Sequence, residues 1–276
     1  MAIITISREF GSIGKEIGQL LAESLGYEYI DRSKIIRDMK AINKQWGKLG
    51  EEYDEHSPNV WERYDWSFQG FVALTQSIIL NYGLKDKVVL MGRGGNFLFK
   101  DVPHALRIRI AMPQEARIVK IMREEDFTRT TACWLIKKAD KEMAKAVYLV
   151  YGGHWDDPAE YDMTFDLGAK TKTEKEIIKM IKKALPKKEK LNTEKARKAL
   201  RIRAIAAKVN AGIATNRSFL IPTLEVKAAG ESIVLRAIVH NPKEEEKIEK
   251  VAKKLAGDIP IEFDLHYRGI LRTIRE

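Results

Sequence analysis

Two glycines, a serine and a lysine stand close together near the start of the chain, in the segment Arg8-Glu9-Phe10-Gly11-Ser12-Ile13-Gly14-Lys15. An apolar, β-branched run, Ala2 to Ile6, precedes them, and apolar residues recur at helical spacing after them up to Gly26. A strand that leads into a helix through such a turn can bind phosphate groups, because backbone N–H groups and the helix N-terminus point at the anion. The sequence therefore predicts phosphate-binding residues at Arg8, Gly11, Ser12, Ile13, Gly14 and Lys15.

This segment matches the P-loop pattern G-x-x-x-x-G-K-[ST] only in part. When the pattern is placed on Gly14-Lys15, its first glycine falls on Glu9 and its magnesium-binding hydroxyl falls on Glu16. A glycine-containing turn between a strand and a helix accounts for the same residues without any ligand. The pattern alone leaves phosphate binding and a plain turn as alternatives.

Longer stretches resemble the cytidylate-kinase-like family, a branch of the P-loop nucleoside monophosphate kinases whose members open with I-S-R-E-F-G-S-G-G. The stretches that carry the resemblance are Ile4–Gly18, Leu25-Gly26-Tyr27, Ile30-Asp31-Arg32 and Gly92-Arg93-Gly94, and it continues to about Lys183. It implies an α/β fold, a parallel sheet with helices on both faces. It also implies an enzyme that transfers the γ-phosphoryl group of ATP to a pyrimidine nucleoside monophosphate, CMP or dCMP, with Mg²⁺. Ile13 departs from the family, which has a glycine there.

The resemblance places acceptor-nucleotide residues at Asp31, Arg37, Gly92 and Arg93. Asp31 and Arg37 correspond to the two ends of the family motif D-T-G-A-M-Y-R, whose threonine and glycine are replaced here. Asp31 also fits a helix N-cap, and that alternative stays open.

Gly92-Arg93 follows the apolar run Lys87 to Met91, which predicts a buried parallel strand. Ligands of open α/β sheets bind at the carboxyl ends of the strands, so Arg93 is well placed for an anion. The family writes G-R-D here, with the arginine on the acceptor phosphate, and Gly94 replaces the aspartate. A salt-bridged surface arginine is the alternative for Arg93.

A predicted helix from about Thr128 to Tyr151 contains Lys137, Lys138 and Asp140. The family's lid is written K-x-x-D-x-x-R, and its arginine reaches the transferred phosphate. Lys137 and Asp140 match, whereas Met143 stands in place of the arginine. Lys138 or Lys141 is the alternative source of that charge, although lysine supplies a point charge where arginine supplies a planar fork. With Lys15, these residues are the predicted catalytic group, and no side chain is assigned as a metal ligand.

Aromatic and charged residues fill Gln45 to Trp66, where related kinases have a mobile acceptor-binding segment. Stacking on a base, with His56 as a hydrogen-bonding group, and packing of a helical insertion are both compatible with this composition, and packing is favoured.

The length of 276 residues predicts two domains. The hydrophobic content of 45% is typical of a globular protein, and no apolar run has membrane-spanning length. A single cysteine, Cys133, excludes an intrachain disulfide and fits a reducing compartment, so a cytoplasmic protein is expected. The net charge is +10, and residues 186–276 carry +8 of it from 20 Lys/Arg and 12 Asp/Glu.

The predicted domains are residues 1–185, a charged linker at 186–190, and residues 191–276. The last part has the order α-β-β-α-β and resembles a BON domain, an α+β module usually assigned to binding rather than catalysis. Three functions follow as alternatives: a nucleotide kinase, a nucleotide-binding pseudokinase coupled to the C-terminal module, and a scaffold that binds an anionic surface through that module.

Overall fold

Five parallel strands form the larger sheet of the protein, in the order β2-β3-β1-β4-β5. The structure is a computed structural model that describes residues 2–55, 65–168, 173–219 and 221–267. The strands are β1 (Ile3–Arg8), β2 (Glu28–Ile30), β3 (Val88–Met91), β4 (Ala105–Ala111) and β5 (Met163–Asp166). Because β1 lies between β3 and β4, the segment after β1 opens at the centre of the sheet's carboxyl edge.

Helices connect these strands. They are α1 (Gly14–Leu25), α2 (Arg32–Ile42), α3 (Lys44–Glu55), α4 (Trp66–Leu84), α5 (Gly95–Leu98), α6 (Gln114–Glu125), α7 (Arg129–Tyr151) and α8 (Glu174–Glu189). One apolar cluster joins β1, β3 and β4 to α1 and α8, which pack on the sheet. Its members include Ile4, Ile17, Val89 and Ile181, each of which is 0% exposed. Gly26, with φ +64°, ends α1 in the left-handed conformation. The predicted α/β fold with a parallel sheet is confirmed.

A smaller sheet follows in the C-terminal part, where β6 (Glu225–Ala229), β7 (Ser232–Val239) and β8 (Ile261–Tyr267) are ordered β6-β7-β8. Helices α9 (Glu194–Ala214) and α10 (Pro242–Ala256) complete it, and the predicted order α-β-β-α-β is confirmed. Its core consists of alternate β7 side chains with one face of each helix. The resemblance to BON domains stays a prediction.

The chain divides into two compact units at places other than the predicted boundaries. The first contains residues 1–63 and 81–197, and the second contains residues 64–80 and 198–276. The predicted linker at 186–190 is largely helical, since α8 continues to Glu189. The domain boundaries 1–185 and 191–276 therefore remain a prediction, and the contacts favour a different division. Among the described residues, no helix is long and apolar enough to cross a membrane.

A buried histidine lies at the opposite edge of the large sheet from the turn that follows β1. His104 is 1% exposed, and its Nε2 is 3.8 Å from a carboxylate oxygen of Asp86. Burial lowers the pKa of His104, and the positive charge of Arg197 adds to this, while Asp86 acts in the opposite direction. His104 is thus held neutral in the folded protein.

We expect the free energy of unfolding to fall as the pH decreases below about 6.5, the ordinary histidine pKa. The unfolded chain takes up a proton on His104 before the folded chain does, so acid favours unfolding. Urea denaturation at pH 7.5, 6.5 and 5.5 measures this slope, and His104→Gln should flatten it. A wild-type slope that His104→Gln leaves unchanged would contradict the assignment, with exposed His266→Gln as the control.

Candidate functional site

The turn between β1 and α1 forms a loop at residues 9–14 that leads directly into a helix N-terminus. Ser12 Oγ donates to the carbonyl of Glu9 at 2.7 Å and accepts from the N–H of Gly14 at 3.3 Å, so its hydroxyl holds the loop. Ile13 is the N-cap residue of α1 and provides no side-chain cap. The first turn of α1 thus has N–H groups that a bound anion could satisfy.

Both glycines of the loop allow a close approach that a side chain would prevent. A Cβ on Gly11 would lie 2.7 Å from Ile121 Cδ1, and the residue has φ +73°. A Cβ on Gly14 would lie 2.5 Å from Cβ of Arg8. The loop therefore packs on α6 on one side and on the Arg8 side chain on the other. We call residues 9–14 the phosphate loop, after the ligand that the sequence predicts there.

Three arginines stand at the carboxyl ends of three neighbouring strands. Arg8 ends β1, Arg32 begins α2 directly after β2, and Arg93 follows β3. Burial lowers the pKa of Arg93 to about 10, and the positive charges of Arg32 and Arg8 add to that effect, while Tyr151 and Asp31 act in the opposite direction. Burial also lowers the pKa of Arg8. Placing like charges near one another in a buried site costs free energy, and a bound anion with several negative charges would offset that cost. Such an arrangement is expected of an anion-binding site.

The loop that carries Arg93 is held in an unusual backbone conformation. Gly92, Arg93 and Gly94 have φ values of +70°, +59° and +70°, in the left-handed region that disfavours a side chain. The Tyr151 hydroxyl donates to the carbonyl of Arg93 at 2.9 Å, and its ring stacks on Phe97 with centroids 5.2 Å apart. The last residue of α7 thus fixes the backbone of Arg93, and strain of this kind is common at binding sites.

A second set of charges lies beneath the phosphate loop, where Glu9 accepts from Arg109 at 3.1 Å and from the N–H of Met112 at 2.8 Å. Arg117, 5% exposed, donates to the carbonyl of Phe10 at 3.1 Å. Arg117 also forms a two-pronged ion pair with Asp140 of α7, with NH1–Oδ1 and NH2–Oδ2 distances of 3.0 and 2.9 Å. Asp140, predicted as a catalytic residue, is therefore engaged with a buried arginine.

The remaining lysines predicted as catalytic are exposed. Lys15 lies on the first turn of α1, and Lys137 and Lys138 lie on α7. The ammonium group of Lys138 is 5.1 Å from the centroid of Trp134. Met143, in place of the family's lid arginine, is 38% exposed. These side chains are accessible to a ligand, and their roles remain predictions.

Glu16 stands where the P-loop pattern has its magnesium-binding hydroxyl, and it pairs with Lys120 at 2.9 Å. A carboxylate oxygen is a ligand that Mg²⁺ accepts, usually together with substrate phosphates. Among the described residues, no group of three or more His, Cys, Asp or Glu side chains could hold a metal ion. The residues present therefore fit a magnesium ion that arrives with a nucleotide rather than one held by a protein cage.

The predicted acceptor residues on α2 differ in their surroundings. Asp31 is the N-cap of α2 and accepts from the N–H of Lys34 at 3.0 Å, so the structural alternative applies to it. Arg37 is exposed on α2. The family motif does not predict a role for Arg32, because this residue replaces the family's threonine. Its positive charge nevertheless lowers the pKa of Arg93. Its position directly after a parallel strand was the available signal.

Within Gln45 to Trp66, Trp46 is 4% exposed and packs in the core, as the packing interpretation expects. His56 and the other residues of 56–64 lie outside the described residues. Arg109 and Arg117 were not singled out from the sequence. They come from a strand and a helix a hundred residues beyond the loop, and no local pattern marks them.

A parallel sheet whose first strand leads through a glycine-containing loop into a helix is the architecture of P-loop α/β proteins. The sequence profile of the cytidylate kinase-like family matches residues 3–169, and the chain belongs to that family. A crystal structure of an uncharacterized protein from Eubacterium ventriosum ATCC 27560 is similar, with a TM-score of 0.54 and 22% identity over 67% of this chain and 98% of that one. This likeness concerns the fold. No curated protein matches the chain.

Proposed function

We propose that the protein is a nucleotide kinase that transfers the γ-phosphoryl group of ATP to a pyrimidine nucleoside monophosphate. The observation that supports this most is the cluster of Arg8, Arg32 and Arg93 beside the phosphate loop, in a chain of the cytidylate kinase-like family. Two anion-binding features at one sheet edge suit two phosphate-bearing substrates. One is the helix N-terminus after Ile13, and the other is the arginine cluster.

The arginine cluster suits the acceptor phosphate on electrostatic grounds. A nucleoside monophosphate carries close to two negative charges at neutral pH, and its phosphate would offset the repulsion that Arg8 and Arg32 exert on Arg93. Arginine also presents a planar pair of donors that matches two phosphate oxygens. The lowered pKa of Arg93, about 10, still leaves this residue charged at pH 7.

Phosphoryl transfer needs positioned cations and exclusion of water more than covalent chemistry. In this proposal Gly11 to Lys15 bind the donor phosphates, and Lys137 and Lys138 approach them from α7. Mg²⁺, when bound with ATP, neutralises charge on the β- and γ-phosphates, and Glu16 is the residue at the position of the usual protein ligand.

A coupled assay of CMP, dCMP, UMP and AMP with ATP and Mg²⁺ tests the proposal, with Arg93→Ala as the informative variant. We expect Arg93→Ala to raise the KM for the preferred monophosphate at least about ten-fold, because a charge-assisted contact to the acceptor is lost. The KM for ATP should change little. Arg123→Ala is the matched control, since the Arg123 side chain is 79% exposed on α6.

Absence of turnover with every monophosphate would contradict the kinase proposal. Binding of ATP without turnover would instead select a nucleotide-binding pseudokinase. That alternative is favoured by one specific observation, the presence of Met143 where the family has its lid arginine. Losing one such cation typically costs orders of magnitude in rate.

A further inference from the structure

Arg117 contacts the phosphate loop and helix α7 at the same time. Its Nε donates to the carbonyl of Met112 at 3.0 Å, and NH1 donates to the carbonyl of Phe10 at 3.1 Å. The two terminal nitrogens pair with the Asp140 carboxylate, while Nε lies 3.6 Å from Glu9 Oε2. One buried guanidinium therefore joins a loop near residue 10 to a helix more than a hundred residues further on.

Apolar packing follows the same route from the loop to the helix. Ile118 and Ile121 of α6 form a small core with Ala132 and Ile136 of α7, separate from the core of the sheet. Ile121 also lies under Gly11, where an added Cβ would be 2.7 Å from its Cδ1. A displacement of α7 thus reaches the loop through α6 as well as through Arg117.

We propose that Arg117 is a positioning residue that makes the shape of the phosphate loop depend on the place of α7, with Asp140 setting the orientation of its guanidinium. Asp140 is then a positioning residue too, rather than the catalytic residue predicted from the sequence. The part of this inference that concerns ATP rests on the proposed function. The part that concerns the loop itself does not.

The direction of the effect follows from the charges around Arg117. Without the Asp140 carboxylate, the guanidinium keeps Glu9 as its nearest carboxylate, at 3.6 Å. A buried cation is drawn to the remaining opposite charge, because an unpaired charge is costly away from water. Turning toward Glu9 takes NH1 away from the carbonyl of Phe10, so the loop loses the hydrogen bond that holds its outer end.

Asp140→Asn tests the coupling, since asparagine keeps the size and removes the charge. Hydrogen–deuterium exchange of the peptide that spans residues 9–14 is the first readout, and we expect faster exchange at least about ten-fold. The affinity for ATP, measured by calorimetry with Mg²⁺, should fall about ten-fold or more, while the affinity for the monophosphate should change less than two-fold. Arg117→Lys, which keeps the charge and loses the planar fork, should act in the same direction.

Glu142→Gln is the matched control. Glu142 lies on the same helix, two residues after Asp140, and its nearest cation, Lys138, is 4.0 Å away. The variant should leave both the exchange of residues 9–14 and the affinity for ATP at wild-type values. A fall in melting temperature that accompanies equal losses for ATP and monophosphate would show a merely structural role and would overturn the coupling.

Two failures can be told apart. If the wild-type protein does not bind ATP, the proposed function is wrong, and the exchange of residues 9–14 still decides the coupling. If Asp140→Asn leaves that exchange unchanged in a folded protein, the coupling is wrong whatever the protein binds.

Discussion

Gly94→Ala is expected to lower the free energy of unfolding by about 2–5 kcal/mol and to remove most of the turnover with a nucleoside monophosphate. The new Cβ would lie 2.1 and 2.3 Å from two ring carbons of Tyr151 and 2.5 Å from its hydroxyl oxygen, at a residue whose φ is +70°. The strain of a left-handed backbone at an alanine and the clash of its Cβ with Tyr151 both destabilise the folded protein, and their effects add. The ring must move, and the hydrogen bond from Tyr151 to the carbonyl of Arg93 is then lost.

Gly92→Ala is a closely matched control for this prediction. Gly92 has the same φ of +70°, but a Cβ there would meet no atom within 4 Å. Gly92→Ala should lower the free energy of unfolding by about 1–2 kcal/mol, from backbone strain alone. Urea denaturation gives both free energies, and the coupled assay gives the kcat/KM values. Equal losses in the two variants would show that contact with Tyr151 does not matter for the Arg93 loop.

A chain that ends after Lys188 is expected to aggregate or to lose its cooperative melt. The predicted boundary at residue 185 implies that such a fragment folds by itself, but residues 64–80 cluster with residues 198–276. Gln69 Nε2 donates to the carbonyl of Pro222 at 3.1 Å, and the guanidinium of Arg217 lies 5.9 Å from the Trp66 ring. Truncation would remove these partners of α4.

The magnitude makes this the largest effect expected of any change considered. The side chains of Phe68, Leu74, Ile78 and Ile79 are all under 9% exposed, and each buried apolar side chain of this size contributes about 1.5–3 kcal/mol. Their joint loss is comparable to the whole stability of a domain, about 5–15 kcal/mol. A chain that ends after Tyr267 keeps every described element and is the control. A cooperative melt of the shorter chain, seen by circular dichroism and calorimetry, would refute the expectation.

Local sequence signals were sufficient for most of the fold. The run Val88 to Met91 has the continuous apolar character of a strand buried on both faces, and Gly26 marks the end of α1 because only its left-handed conformation closes that helix cheaply. The family motifs added the expectation that the sheet is parallel, with helices on both faces. Such signals depend on neighbours in the chain, so they can be read without the tertiary structure.

The candidate site was less predictable, because its charges are brought together from distant segments. Arg117 reads as one of several charged residues on an amphipathic helix until its burial against Asp140 and Phe10 is known. Helical spacing in α4 indicates that one face is buried, but it does not say which part of the chain covers that face. Arg32 shows a different limit of sequence analysis. It replaces a threonine of the family motif, and the motif does not indicate what the replacing residue does.

The space that Gly94 leaves for Tyr151 also restricts how this sequence can change in evolution. The family's aspartate at position 94 and the tyrosine at position 151 would compete for one volume, so an aspartate cannot be introduced at position 94 at low cost while Tyr151 remains. We therefore expect residues 94 and 151 to change together, with a smaller residue at the end of α7 wherever an aspartate stands at position 94. Gly94 suits the tyrosine that ends α7, so the change from G-R-D to G-R-G has a packing reason that is independent of any loss of activity.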